Sequence, residues 1–351
     1  MAANNYPTNW TQLERELGYQ GGTLADITQN PDRKRIGEWL SPADQTKFHI
    51  DKVTEDPLGA AGNLLGKQSR VARWITNDNR LLRISGNSGT GKSVLVANIV
   101  VKTFDEVHKL NRNHRAAVEP RNMMGYFFCS TRENEFFDFS TFARTIISQF
   151  CPFAVPHQRV KQLYRRCCQQ WPGRQPELAQ LMTCLKTILE DFFAENENGK
   201  VYLIIDGLDR VPVKEQVPYN RFLRDVMQED YKNLHILLSC KDSYTTKHFF
   251  ETSDQWKTVN MDRSDFTERS HKAFLDYMFS KVPTLTRVDQ ALRDSIKAQL
   301  FSYVQKTSPK FGEKLERDVF TRTALREDTV GIFDMSGIQG LRRITRRKEI
   351  M

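Results

Sequence analysis

The chain is 351 residues long, with 39% apolar and 11% aromatic side chains, enough for a buried core and too many for wholesale disorder. Its 18 Gly and 13 Pro exclude a collagen-like or low-complexity chain, and 6 Cys without a Cys-x-x-Cys pair exclude a disulfide scaffold and give no zinc signature. A net charge of +9 points to nucleic acid only where it is localised, and most of these basic residues are mixed with acids along helical stretches.

In chain order, residues 1–34 form a polar segment without the apolar stretch of a signal peptide. No apolar run approaches the ~20 residues of a spanning helix, so a soluble, cytoplasmic protein is expected. Residues 35–78 read as a helical lead-in. It opens with an amphipathic helix over 33–40 that Ser41-Pro42 halts, continues through a Pro- and Gly-bearing loop over 51–62, and ends in a helix through Trp74 and Ile75 that Ser69 can cap. The apolar run Leu81–Ser85 is predicted as a strand and 92–107 as a helix. Further strands are predicted at 124–129, 201–205 and 234–239, with helices at Phe139–Phe150, 177–195 and 219–228. Brief apolar strands alternating with helices predict an α/β domain over 79–262. Its centre is a parallel five-stranded sheet flanked by helices, of which four strands can be placed. A helical segment follows over 263–308, from stretches at 265–280 and 287–305. Residues 309–351 read as a weakly structured basic tail, and its Arg342, Arg343, Arg346, Arg347 and Lys348 as a solvated run.

Between the first strand and its helix, Gly86-Asn87-Ser88-Gly89-Thr90-Gly91-Lys92-Ser93 matches G-x-x-x-x-G-K-S/T. Glycines let the backbone curl so that successive N–H groups face an anion, and a helix starting at Lys92 adds its positive end. Lys92 is the point charge for the β- and γ-phosphates, and the Ser93 hydroxyl is a candidate magnesium ligand. The strand over 201–205 delivers Asp206 to its C-terminal edge, where ligands of parallel sheets sit. Asp206 is the candidate to hold the magnesium shell and Asp209 the candidate to polarise an attacking water. At a third strand end, Ser239-Cys240-Lys241, Lys241 is placed to meet a γ-phosphate, whereas Cys240 reads as a small buried residue. No N-K-x-D element follows the acidic strand, which argues against a small GTPase.

These residues together resemble the NACHT family of STAND nucleotide-binding switches, above all the fungal nephrocystin 3-like N-terminal type. Glu38-Trp39-Leu40-Ser41-Pro42-Ala43-Asp44 is similar to the family's E-W-L-S-P-x-D, and Tyr126-Phe127-Phe128-Cys129 to its Y-F-F-C strand. Asp206-Gly207-Leu208-Asp209 is similar to D-A/G-L-D-E, and Ser239-Cys240-Lys241 stands at its T-S-R. Three departures stand out. Arg210 replaces the final Glu, Lys241 replaces an Arg and loses its planar fork, and Leu64 stands for a Trp. The winged-helix segment and repeats that follow in the family are not recognisable. The resemblance implies an ATP/ADP switch with Mg2+, GTP being left open, and with slow or impaired hydrolysis. It further implies Lys241 as the γ-phosphate sensor, and a homo-oligomer or NLR-like signalling partners rather than a membrane or nucleic acid. The alternative is a degenerate NTPase that serves as an interaction scaffold without turnover.

Overall fold

A computed structural model describes residues 31–45, 70–76, 79–87, 90–112, 122–129, 138–150, 158–170, 173–229, 231–241 and 255–261, with residues 290, 291, 294, 295 and 298. All of them belong to one unit, Met1–Tyr303. Residues 1–30 of the expected polar segment, the 51–62 loop, the cap at Ser69, nearly all of the 263–308 helical segment and the basic tail lie outside the described residues, and residues 31–34, counted with the polar segment, open a helix.

The helices are α1 (Pro31–Leu40), α2 (Arg70–Thr76), α3 (Lys92–Arg112), α4 (Phe139–Phe150), α5 (Gln158–Gln170), α6 (Leu178–Glu195) and α7 (Val213–Gln228). The strands are β1 (Leu81–Ser85), β2 (Asn122–Phe128), β3 (Lys200–Asp206), β4 (Leu234–Cys240) and β5 (Lys257–Asn260). They form one five-stranded sheet in the order β2-β3-β4-β1-β5, and every pairing is parallel. The expected α/β architecture is therefore present. Parallel strands are covered on both faces, which is why β1 and β4 are buried at every position.

Alternation along β3 divides the core. Val201, Leu203 and Ile205 face one side, with Phe142 and Ile146 of α4, Leu185 of α6 and Phe222 of α7. Tyr202 and Ile204 face the other, with Leu95 and Ile99 of α3 and Trp74 of α2. Helix α4 lies close against β2 at Gly125, where an added Cβ would meet Phe150 Cε1 at 3.0 Å and Ile146 Cδ1 at 3.1 Å. Asp138 starts that helix, its carboxylate accepting from Thr141 N at 2.8 Å and Thr141 Oγ1 at 2.6 Å.

The lead-in packs onto the sheet domain from both sides. Ile36, Trp39 and Leu40 of α1 join the α4–α6–α7 layer, while Val71, Trp74 and Ile75 of α2 join the α3 layer. Trp39 Nε1 donates to Arg174 O at 2.8 Å, and Gln175 Nε2 donates back to Trp39 O at 2.8 Å. Trp74 Nε1 donates to Arg80 O and Ile236 O at 3.1 and 3.2 Å. Tyr202 OH donates to Ile75 O at 2.7 Å, and His235 Nδ1–H to Trp74 O at 2.7 Å. The carbonyl acceptor sets the His235 tautomer. At the sheet edge, two glutamine side chains accept from β2: Gln149 Oε1 from Tyr126 N and Gln45 Oε1 from Phe128 N, both at 2.7 Å.

Three elements differ from the pattern-based expectation. Helix α7 begins at Val213 rather than 219, because Pro218 inside it reads as a breaker. Helix α5 shows only Val160, Leu163 and Cys167 as a buried stripe among charged and amide residues. The fifth strand is β5, a short polar edge whose four residues are partly or fully exposed.

Candidate functional site

The chain leaves β1 at Ser85 and enters α3 at Lys92, so the glycine-rich loop sits at the C-terminal end of the sheet. Gly86, Asn87, Thr90 and Gly91 are described; Ser88 and Gly89 lie outside the described residues. Gly91 has φ +84°, a left-handed conformation that costs a residue bearing Cβ. Its carbonyl accepts the Leu95 N–H at 2.9 Å and so begins the α3 ladder. Thr90 Oγ1 donates to Asn87 O at 2.9 Å, tightening the loop. The buried Lys92 folds back over the loop, and its Nζ donates to Gly86 O at 2.7 Å and Asn87 O at 2.6 Å.

Strand order brings the acid to this loop. Because β4 lies between β1 and β3, the ends of all three strands are neighbours, and the first turn of α3 stands over them. Asp206, the last residue of β3, is 0% exposed. Its Oδ2 accepts from Ser93 Oγ at 2.7 Å, and its Oδ1 accepts a short hydrogen bond from Ser239 Oγ. Ser239 also receives the Gly207 N–H, at 3.0 Å on Oγ and 3.1 Å on its carbonyl. Gly207 has φ +74°, and an added Cβ would come within 3.3 Å of Cys129 O. This turn leads into a short 3-10 turn, Leu208–Arg210.

Asp209 and Lys241 are brought to each other. Asp209 Oδ1 accepts from Lys241 N at 3.0 Å, and its Oδ2 stands 4.0 Å from Lys241 Nζ. Arg210 reaches the other way: Nη2 donates to Ser93 Oγ at 3.1 Å and Nη1 to Cys129 O at 3.3 Å. Burial, reinforced by the Asp206 charge, pushes the Cys129 thiol far above its ordinary range. With Cys240 also buried, neither offers a thiolate nucleophile. Ser239 was not singled out as an Asp206 partner in the motif reading. A hydroxyl one residue before the end of an all-buried strand was the available signal.

The donor set suits a hard divalent cation. Ser93 Oγ and Asp206 Oδ2 are oxygen atoms held within 2.7 Å of each other, beside a loop built for phosphate. Among the described residues, no group of three or more His, Cys, Asp or Glu could cage a metal alone. Two oxygen ligands are what such a pair could offer a magnesium ion that takes its other ligands from phosphate and water.

A parallel sheet in this order, a glycine loop opening α3 and an acid facing its serine define an α/β P-loop NTPase fold, the architecture of nucleotide-binding proteins that use magnesium. Residues 61–241, just over half of the chain, match the family described as Nephrocystin 3, N-terminal. The chain belongs to that NACHT-like family. No curated protein sequence matches it. Among solved structures, it is similar to a chain in Drosophila ORC bound to AT-rich DNA and Cdc6, at 13% identity and a TM-score of 0.29, covering 75% of this chain and 88% of that one. A chain in Drosophila ORC bound to GC-rich DNA and Cdc6 is similar at 13% identity and a TM-score of 0.29, covering 73% and 87%. Among the described residues, no helix is long and apolar enough to cross a membrane.

Proposed function

We propose that this chain is a nucleotide-binding NACHT-type signalling switch of the cytoplasm, taking ATP and ADP with Mg2+ and with slow or impaired hydrolysis. The observation that carries the reading is the meeting of Ser93 and Asp206 over the end of the glycine loop. Gly86, Asn87, Ser88, Gly89, Thr90 and Gly91 are the backbone cradle, Lys92 is the phosphate-binding cation, and Ser93 and Asp206 are the residues that would hold magnesium. When bound, the metal supplies positive charge against the phosphate oxygens.

In this reading Lys92 exchanges partners. Its ammonium leaves the carbonyls of Gly86 and Asn87 for the β- and γ-phosphates, so the loop opens as the nucleotide enters. Asp209 is the candidate to polarise a water, yet its carboxylate already accepts from the Lys241 backbone and faces the Lys241 ammonium. Both interactions occupy carboxylate oxygens that an attacking water would need, which favours slow hydrolysis. Lys241 can trade Asp209 for a γ-phosphate oxygen, a contact that ADP does not offer. That difference lets nucleotide bias two states, as a switch requires. Homo-oligomerisation or NLR-like partners would read out the state.

Titration calorimetry of wild type and Lys92→Ala with ATP and ADP tests the assignment: the variant is expected to lose binding, and undiminished affinity rejects the phosphate loop. The second reading, a scaffold without turnover, is favoured by Arg210 beside Ser93. Phosphate release no faster in wild type than in Asp206→Asn would select it.

A further inference from the structure

We infer that Arg210 is a built-in cation competing with divalent metal at Ser93, so that this chain binds nucleotide with only a weak dependence on Mg2+. The inference rests on the phosphate-loop reading above and adds a determinant of cofactor requirement to that site.

A serine hydroxyl has one hydrogen to give and two lone pairs to offer. The Ser93 hydrogen is committed to Asp206 Oδ2 at 2.7 Å, and Arg210 Nη2 donates to Ser93 Oγ itself at 3.1 Å. A magnesium ligand must present a lone pair at about 2.1 Å. The guanidinium therefore occupies one of those lone pairs and places a fixed positive charge next to any ion using the other. Coulomb repulsion between a divalent ion and a cation this near opposes metal binding, and the exposure of Arg210 screens only part of it.

The placement of the arm is built in. Its Nη1 is tied to Cys129 O at 3.3 Å. The aliphatic stem crosses over Gly207, where a Cβ would lie 3.1 Å from Arg210 Cδ and 3.2 Å from Arg210 Nε. Glycine at 207 both makes the left-handed turn and leaves the stem its path. A guanidinium is permanently charged and presents a planar fork that suits phosphate oxygens. Arg210 thus brings to the phosphate edge the kind of charge that a metal would supply.

The test is a fluorescence-anisotropy titration of the purified full chain with methylanthraniloyl-labelled ADP and ATP, each in excess MgCl2 and in EDTA. Wild type, Arg210→Gln, Arg210→Glu and Lys92→Ala are compared, with thermal melts to establish folding. Chelation is expected to weaken wild-type binding by less than about threefold, and binding by the Arg210 variants by roughly tenfold or more, the worth of a charge-assisted contact. Mn2+ titrated into the ADP-loaded chain, with free ion read by electron paramagnetic resonance, is expected to bind more tightly to Arg210→Gln than to wild type. A wild-type chain that already loses about tenfold or more on chelation overturns the inference, whether or not the variants fold. So does a chelation ratio, or a Mn2+ affinity, that is the same in wild type and a folded Arg210 variant. If wild type binds no nucleotide, or binds it equally well in Lys92→Ala, the phosphate-loop reading fails and takes the inference with it.

Discussion

Ser93 Oγ donates to Asp206 Oδ2 across 2.7 Å, although 113 positions separate the two residues in the chain. The contact exists because α3 starts directly above the end of β1 and only one strand stands between β1 and β3. It ties the glycine loop to the acidic strand without any ligand. Asp206 is also the acceptor for Ser239, so a single buried carboxylate satisfies two hydroxyls.

Removing that carboxylate separates a folding role from a ligand role. Asp206→Ala takes the acceptor from the buried Ser93 and Ser239 hydroxyls and is expected to cost about 1–3 kcal/mol, seen as a lower thermal midpoint. Asp206→Asn keeps an acceptor oxygen and is expected to melt nearer to wild type, while the ADP-loaded variant binds Mn2+ more weakly. Equal melting of the Ala variant and wild type would remove the carboxylate from the framework.

His235 makes the fold sensitive to acid. Burial, with Lys200 and Arg80 adding repulsion, holds its pKa down at about 4, while the hydrogen bond to Trp74 O opposes them. An unfolded histidine titrates near 6.5, so below that value the unfolded chain takes up a proton that the folded chain resists. The contribution is complete above about pH 6.5 and is lost as pH falls through about 4, up to about 3 kcal/mol. Urea midpoints measured across this window should fall steeply for wild type and less steeply for His235→Phe. Parallel slopes would assign the acid sensitivity elsewhere.

Gly125 is a packing position rather than a turn. Adding a Cβ there drives it to 3.0 Å from Phe150 Cε1 and 3.1 Å from Ile146 Cδ1, so these α4 side chains must give by a few tenths of an ångström. Gly125→Ala is expected to destabilise by about 1–3 kcal/mol in chemical denaturation, the usual range for overpacking. An unchanged midpoint would mean that α4 yields without cost.

The Asp209–Lys241 pair is wide and its lysine is half exposed, so Lys241→Ala is expected to change stability by less than about 1 kcal/mol. Its effect should appear in ligand preference, as a lower ratio of ATP to ADP affinity. If both nucleotides weaken equally, Lys241 does not meet a γ-phosphate.

The phosphate loop and the acidic strand were legible because each is a short local pattern whose chemistry demands particular residues in sequence. Helix α4 was legible to both ends, since its apolar stripe is unbroken between Phe139 and Phe150. Helix α7 was not, because Pro218 hides the turns before it. Strand β5 has no apolar run, and it becomes a strand only because β1 offers an open edge to residues 257–260. The roles of Ser239 and Arg210 depend on which strands lie side by side and how Gly207 turns the chain. Neither is encoded in neighbouring residues.

The two glutamines on β2 have a consequence for assembly. An outer strand of a sheet ordinarily presents bare amides on which a second chain can template itself. Here the carboxamides of Gln45 and Gln149 already fill the places at Phe128 and Tyr126. Those two places are stoppered, which blunts the C-terminal half of β2 as an edge on which a second sheet could be spliced.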